Sequence, residues 1–215
     1  MKNAIILTLI LTLGTTLSTA SAETLAKWDL TVEDGTQLDA LPIEGSVVSG
    51  LQVSPIARGN GLSFTETTKF TADGFASSST PQTQTIADAI ENETFFEVTL
   101  TPEKGKTLDL NYISFASKRA SKNSGPNFLI VRTSLDDFTN DVTAPTKTQP
   151  VDIPGSCDIE LWFFDGILSG ITESITLRFY GFGRNQSHNP DGGLWVISNN
   201  TETSAFSIHG TLSPD

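Results

Sequence analysis

"FEVTLTPEKGKTLDLNYISF", residues 96 to 115, decides the fold class. Phe96, Val98 and Leu100 alternate with Glu97, Thr99 and Thr101, which is the two-residue period of a strand buried on one face. Pro102-Glu103-Lys104-Gly105 then supplies turn chemistry, and Leu108 and Leu110 resume the alternation. Beyond them the apolar positions pass to Ile113 and Phe115. That change of parity predicts a β-bulge near Asn111 or Tyr112, or else a strand end at the same place.

The same grammar extends outward. Ile175, Leu177 and Phe179 alternate with Thr176, Arg178 and Tyr180, Trp195 with Ile197 opposes Leu194 with Val196, and Phe206 and Ile208 make a last short strand. "NFLIVRTSL", residues 127 to 135, is apolar on both parities, as expected of a strand covered on both sides. Only "TIADAIENE", residues 85 to 93, and the stretch around Cys157 to Phe164 suit a helical turn. Many short strands, turns rich in Gly, Pro, Asn and Ser, and no long amphipathic helix imply an all-β, antiparallel two-sheet sandwich that is jelly-roll-like. "ASSSTPQTQT", residues 76 to 85, reads as an exposed loop.

The first residues have a different character. Lys2, the apolar run Ala4 to Leu13 and the small residues Ala20-Ser21-Ala22 have the order of a signal peptide, so residues 1 to 22 are expected to be removed. The run is shorter than the roughly 20 apolar residues of a membrane span. The expected product is one β-sandwich domain, residues 23 to 215, that is secreted to the extracellular space or the periplasm without membrane insertion. With 25 Asp and Glu against 13 Lys and Arg, the net charge is −12. That balance argues against nucleic acid, whose affinity comes largely from cations neutralising phosphates, and against anionic membrane surfaces. Cys157 is the only cysteine, so no internal disulfide forms, and the thiol reads as a small buried or half-buried side chain.

Taken in order, "AKWDLT", "FEVTLTPEKGKTLDLNYISF", "SGPNFLIVRTSLDDFTNDV", "ITLRFYGFG", "LWVI" and "FSIHGTL" make the chain resemble the secreted bacterial β-sandwich modules of PEP-CTERM-type surface proteins. Such modules close on Trp, a basic residue, Ile and an acid before a last strand. Here Ser198 stands where the acid would be, and Asn200 to Ser204 look inserted. The sequence closes on Ser213-Pro214-Asp215 without a Pro-Glu-Pro sorting signal. The resemblance therefore implies export, a jelly-roll-like fold and a surface role. It does not imply membrane sorting of this chain, and it supplies no catalytic residues.

Binding chemistry is read from the residues themselves. Aromatic rings on a sandwich face stack against the apolar faces of sugars while polar groups orient the hydroxyls. Trp162, Tyr180 and Trp195 are candidate rings. Arg178 shares strand parity with Tyr180, and Arg119 and Arg132 lie in neighbouring predicted strands. The loop "NQSHNPDGG" adds Arg184, just before it, with Asn185 and His188, although its Asn-Pro-Asp-Gly-Gly run is first of all turn chemistry. The competing reading places the tryptophans in the core and pairs the arginines with surface acids.

Asp136, Asp137, Asn140 and Asp141 crowd one turn and Asp29, Glu33, Asp34 and Asp39 another, so a structural calcium ion is a second possibility. Neither run has EF-hand spacing. Catalysis ranks below binding, because no nucleophile, base and orienting group can be named together. Three functions follow in order: a glycan-binding surface module using the aromatic and arginine face, a structural envelope or matrix protein, and a glycan-active enzyme. The first two differ in whether the Arg178 and Tyr180 face stands open or is covered by the chain.

Overall fold

The computed structural model describes residues 22–30, 39–64, 71–73, 85–119, 126, 128–142, 146–147, 158–183, 195–197 and 205–215; at 64, 71–73, 116–119, 146–147, 158–162 and 195–197 it describes the backbone alone. The described strands form two antiparallel sheets. The seven-stranded sheet runs β1 (Glu23–Trp28), β13 (Phe206–Pro214), β7 (Lys106–Arg119), β12 (Trp195–Ile197), β5 (Thr71–Asp73) and β4 (Ser63–Phe64), with β10 (Asp158–Phe163) also paired to β7. The six-stranded sheet runs β2 (Leu51–Val53), β6 (Phe95–Pro102), β11 (Ile175–Phe182), β8 (Phe128–Thr133) and β9 (Thr146–Lys147), with β3 (Ala57–Arg58) also on β6. The antiparallel two-sheet sandwich read from the alternation is present.

Alternation explains why the sheets stack. Phe96, Val98 and Leu100 of β6, Ile175, Leu177 and Phe179 of β11, and Leu129 and Val131 of β8 are buried on one face of their sheet. They share a core with Leu108, Leu110, Ile113 and Phe115 of β7, Phe206 and Ile208 of β13, and Leu25 and Trp28 of β1. Phe179 meets Phe206 at 5.5 Å and Phe115 at 6.5 Å, both edge-on, so aromatic contacts cross from sheet to sheet. Each such side chain contributes roughly 1.5–3 kcal/mol on burial. Trp28 is fully buried and still satisfies its indole N–H, which donates to the Ser54 carbonyl at 2.8 Å.

The turn at Pro102 to Gly105 does not make a hairpin within one sheet. It carries the chain from β6 in one sheet to β7 in the other, closed by Lys106 N–H donating to Glu103 O at 3.0 Å. Along β7 the predicted bulge is present. Leu110 pairs with Gly210 and Tyr112 with His209, which leaves Asn111 as the extra residue. Its carbonyl accepts from Phe164 N–H at 2.9 Å instead. A side chain at position 210 would collide with the Asp109 carbonyl oxygen, so the bulge requires glycine there.

A strap over residues 40–43 ties the sheets at one edge. Ala40 exchanges both backbone hydrogen bonds with Ile56, beside β3, while Asp29 N–H donates to Leu41 O at 3.0 Å and Ile43 N–H to Lys27 O at 2.8 Å along β1. Two expectations are corrected. The stretch that suited a helical turn near Cys157 is extended from Asp158, where β10 pairs residue for residue with β7; Cys157 itself lies outside the described residues. An apolar run such as Leu161 to Phe164 has no period to separate helix from strand. The last strand is also not short, since β13 continues to Pro214 along β7.

The helical turn at residues 85 to 93 is α1 (Ile86–Glu91), fixed by a capping box between Thr85 and Asp88. Hydrogen bonds from the Thr85 backbone and hydroxyl hold the Asp88 carboxyl below its ordinary pKa. Six residues are too few for a helix to persist alone. It persists because Ala89 packs on Phe95, Ile130 and Tyr180 on the outer face of the six-stranded sheet. Strand β8 is thereby covered on both sides, as its sequence predicts.

Candidate functional site

Backbone register sets one row of charge across the outer face of the six-stranded sheet. Arg178 of β11 lies between Glu97 of β6 and Arg132 of β8. Its Nε donates to Glu97 Oε2 at 2.9 Å. Its guanidinium carbon lies 4.2 Å from the Phe95 ring centroid and 4.0 Å from that of Phe138. Burial opposes the charge, yet hydrogen bonds with Glu97 and Tyr180, and the charges of both, hold the Arg178 pKa above its ordinary value. Arg132 donates to Asp141 Oδ1 at 2.7 Å and to the Phe138 carbonyl at 3.0 Å. Both arginines are engaged by their own chain.

Phe138 reaches this row because the chain turns back after β8. Ser134–Asp136 forms a short 3-10 turn, Asp137 and Phe138 take positive φ of 55° and 56°, and Phe138 N–H returns to Thr133 O at 2.8 Å. The same turn holds the carboxylates expected to bind calcium. Asp136 Oδ2 accepts from the backbone and side-chain nitrogens of Asn140, both at 2.9 Å. Burial pushes the Asp136 carboxyl up, but these bonds outweigh it and hold its pKa low. Asp141 is taken by Arg132, and Asp137 is exposed. Among the described residues no group of three or more His, Cys, Asp or Glu gathers as a metal centre.

Tyr180 shares a face with Arg178, as its parity requires, but the ring is 1% exposed. It meets Phe95 edge-on at 5.3 Å, with Ala89 of α1 and Ile130 in the same cluster. Of the two arrangements left open for this face, open or covered by the chain, Tyr180 shows the second: α1 covers it. Period two fixes which face a side chain takes, and says nothing of what lies on that face. Among the other expected residues, Arg119 pairs in backbone register with Trp195, and Trp162 with Ile113. Arg184 and His188 lie outside the described residues.

The outer face of the other sheet holds a row that sequence reasoning missed. Register aligns Thr24 of β1, His209 of β13, Tyr112 of β7 and Phe163 of β10. The bulge at Asn111 is the cause, because it turns Tyr112 outward while Leu110 and Ile113 both point into the core. His209 lies parallel on Tyr112, with centroids 4.2 Å apart and planes 7° apart. Tyr112 meets Phe163 at 5.4 Å, and Phe163 is 58% exposed.

Both imidazole nitrogens have neighbours. Nδ1 lies 3.3 Å from the Thr24 hydroxyl and Nε2 lies 2.9 Å from that of Ser207. Burial, and after it the charge of Lys27, lower the His209 pKa below the ordinary value, so the ring is neutral at pH 7. Ser207 is buried, and the group at Nδ1 is a hydroxyl rather than the carboxylate that orients a catalytic imidazole. The arrangement holds a ring in place.

A signal for this row existed. His209 alternates with Phe206 and Ile208, so its outward direction was readable, and the parity change already implied the same for Tyr112. Their meeting depends on the long-range pairing of β13 with β7, which neither segment announces. Among the described residues no helix is long and apolar enough to cross a membrane. Comparisons with family models, with curated proteins and with solved structures found no match to the chain.

Proposed function

We propose that the chain is a non-catalytic, jelly-roll-like module of an exported surface layer or extracellular matrix, working through its folded body rather than through the Arg178 face. One observation carries this reading: α1 and the 134–142 turn cover that face, burying Tyr180 and engaging both arginines. The order of the leader residues and the resemblance to PEP-CTERM-type surface modules support export. A glycan held by Arg178, Arg132 and Tyr180 would have to displace two ion pairs and the Phe138 ring, and broken charge pairs of this partly buried kind are costly to leave unpaired.

The test is fractionation of cells expressing the full chain with an epitope tag placed within the Ser- and Thr-rich stretch 76 to 84. Recovery of a chain shortened at its start, with the envelope or the extracellular matrix, is the expected result. Recovery of an unshortened chain in the cytoplasm would refute export and the role with it.

A further inference from the structure

We infer that the outer face of the seven-stranded sheet around Phe163, Tyr112 and His209 is a binding site for a neutral polysaccharide. The inference stands apart from the layer role proposed above and from the covered face of the other sheet. A pyranose presents C–H groups on its flat face and hydroxyls at its rim, so it is held by an open aromatic ring with polar groups beside it. Phe163 supplies the open ring. Tyr112 stands next to it, carrying a phenol, and Asn111 is exposed at the bulge.

The rings are already ordered. His209 has a neighbour at each nitrogen and stacks on Tyr112, which itself meets Phe163, so little side-chain freedom remains to be lost when a ligand arrives. Charge selects the class of occupant. The described side chains of the row, Thr24, His209, Tyr112 and Phe163, are uncharged at pH 7, with the single ammonium of Lys27 in the next row, while the protein as a whole carries −12 and repels polyanions. An uncharged polymer of stacked sugar faces and hydroxyls matches both facts.

Affinity electrophoresis of the full chain tests this, in gels holding hydroxyethylcellulose, xyloglucan or dextran, with alginate as the polyanion. The expected result is retardation by at least one neutral polymer and none by alginate. Phe163→Ala should weaken association about tenfold, the scale of one aromatic contact, with an unchanged melting temperature. Arg178→Ala should be retarded as the native chain is.

Free migration of the native chain in every neutral gel overturns the inference, as does Phe163→Ala being retarded like the native chain. A native dimer in sedimentation that Phe163→Ala converts to monomer would also overturn it, giving the patch to a second copy instead.

Discussion

The two outer faces of the sandwich begin from the same material and end differently. On the six-stranded sheet a basic residue and two aromatics, Arg178, Phe95 and Tyr180, sit in adjacent rows. On the seven-stranded sheet His209, Tyr112 and Phe163 share one row. The first set is roofed by α1 and the 134–142 turn and has become a small second core; the second ends on a ring that is more than half exposed. Composition does not separate them. What separates them is whether the chain returns over the face, and the returning segments are ones whose local signals are weak: six helical residues and one tight turn.

Five substitutions at four positions break or sharpen that contrast. Tyr180→Ala removes a ring packed on all sides and should lower stability by about 3 kcal/mol, the scale for deleting a buried aromatic. Phe163→Ala should change it by less than about 0.5 kcal/mol, the usual range at an exposed position. Urea titration of both variants reads the difference, and equal losses would mean that the second face is also core. Arg178→Ala comes next. It strips stacking from Phe95 and Phe138 and leaves Glu97 without its partner, an expected loss of about 1–2 kcal/mol after allowing for partial exposure. Arg178→Lys should recover only part of it, since an ammonium cannot stack as a planar guanidinium does. Thr85→Ala removes one arm of the capping box and should cost about 1 kcal/mol.

Much of the fold was legible because it is local. The alternation in residues 96 to 101, the turn at Pro102 to Gly105, the extra residue at Asn111, the helical turn after Thr85 and the apolar filling of both parities in β8 are each readable from neighbours within a few positions. The rest has the opposite character. Whether Tyr180 stands open was not legible, because strand parity is a property of β11 alone, whereas its cover comes from a helix about ninety residues earlier. The stretch around Cys157 to Phe164 suited a helical turn because its apolar part, with both parities filled, has no period. The extent of β13 was missed because Thr211, Ser213 and Pro214 carry no apolar signal, and they are held by the ladder to β7. His209 was not among the expected site residues, since the row it belongs to forms from four strands, most of them widely separated in the chain.

The finest difference between the faces is their response to pH. Arg178 keeps its charge throughout the physiological range, so the covered face should be indifferent to mild acid. His209 should not be. Burial and Lys27 depress its pKa in the folded protein below the ordinary 6.5, so between 6.5 and that lower value the unfolded chain binds the proton and the folded chain does not. Stability contributed by the neutral ring is therefore present above 6.5 and declines as pH falls through that window. The described groups that act on it are Lys27 from β1 and Tyr112 from β7, with the hydroxyls of Thr24 and Ser207 at its nitrogens. Carboxylates elsewhere also titrate as pH falls, so the useful quantity is a difference: the change in melting temperature between pH 7 and pH 5 for the native chain minus that for His209→Gln. The native chain should lose more. Lys27→Ala should shrink the gap without closing it, because desolvation is the larger cause and remains. An equal loss in both proteins would mean that the folded and unfolded chains bind this proton alike, and that His209 does not hold Tyr112 through a half-buried, neutral ring.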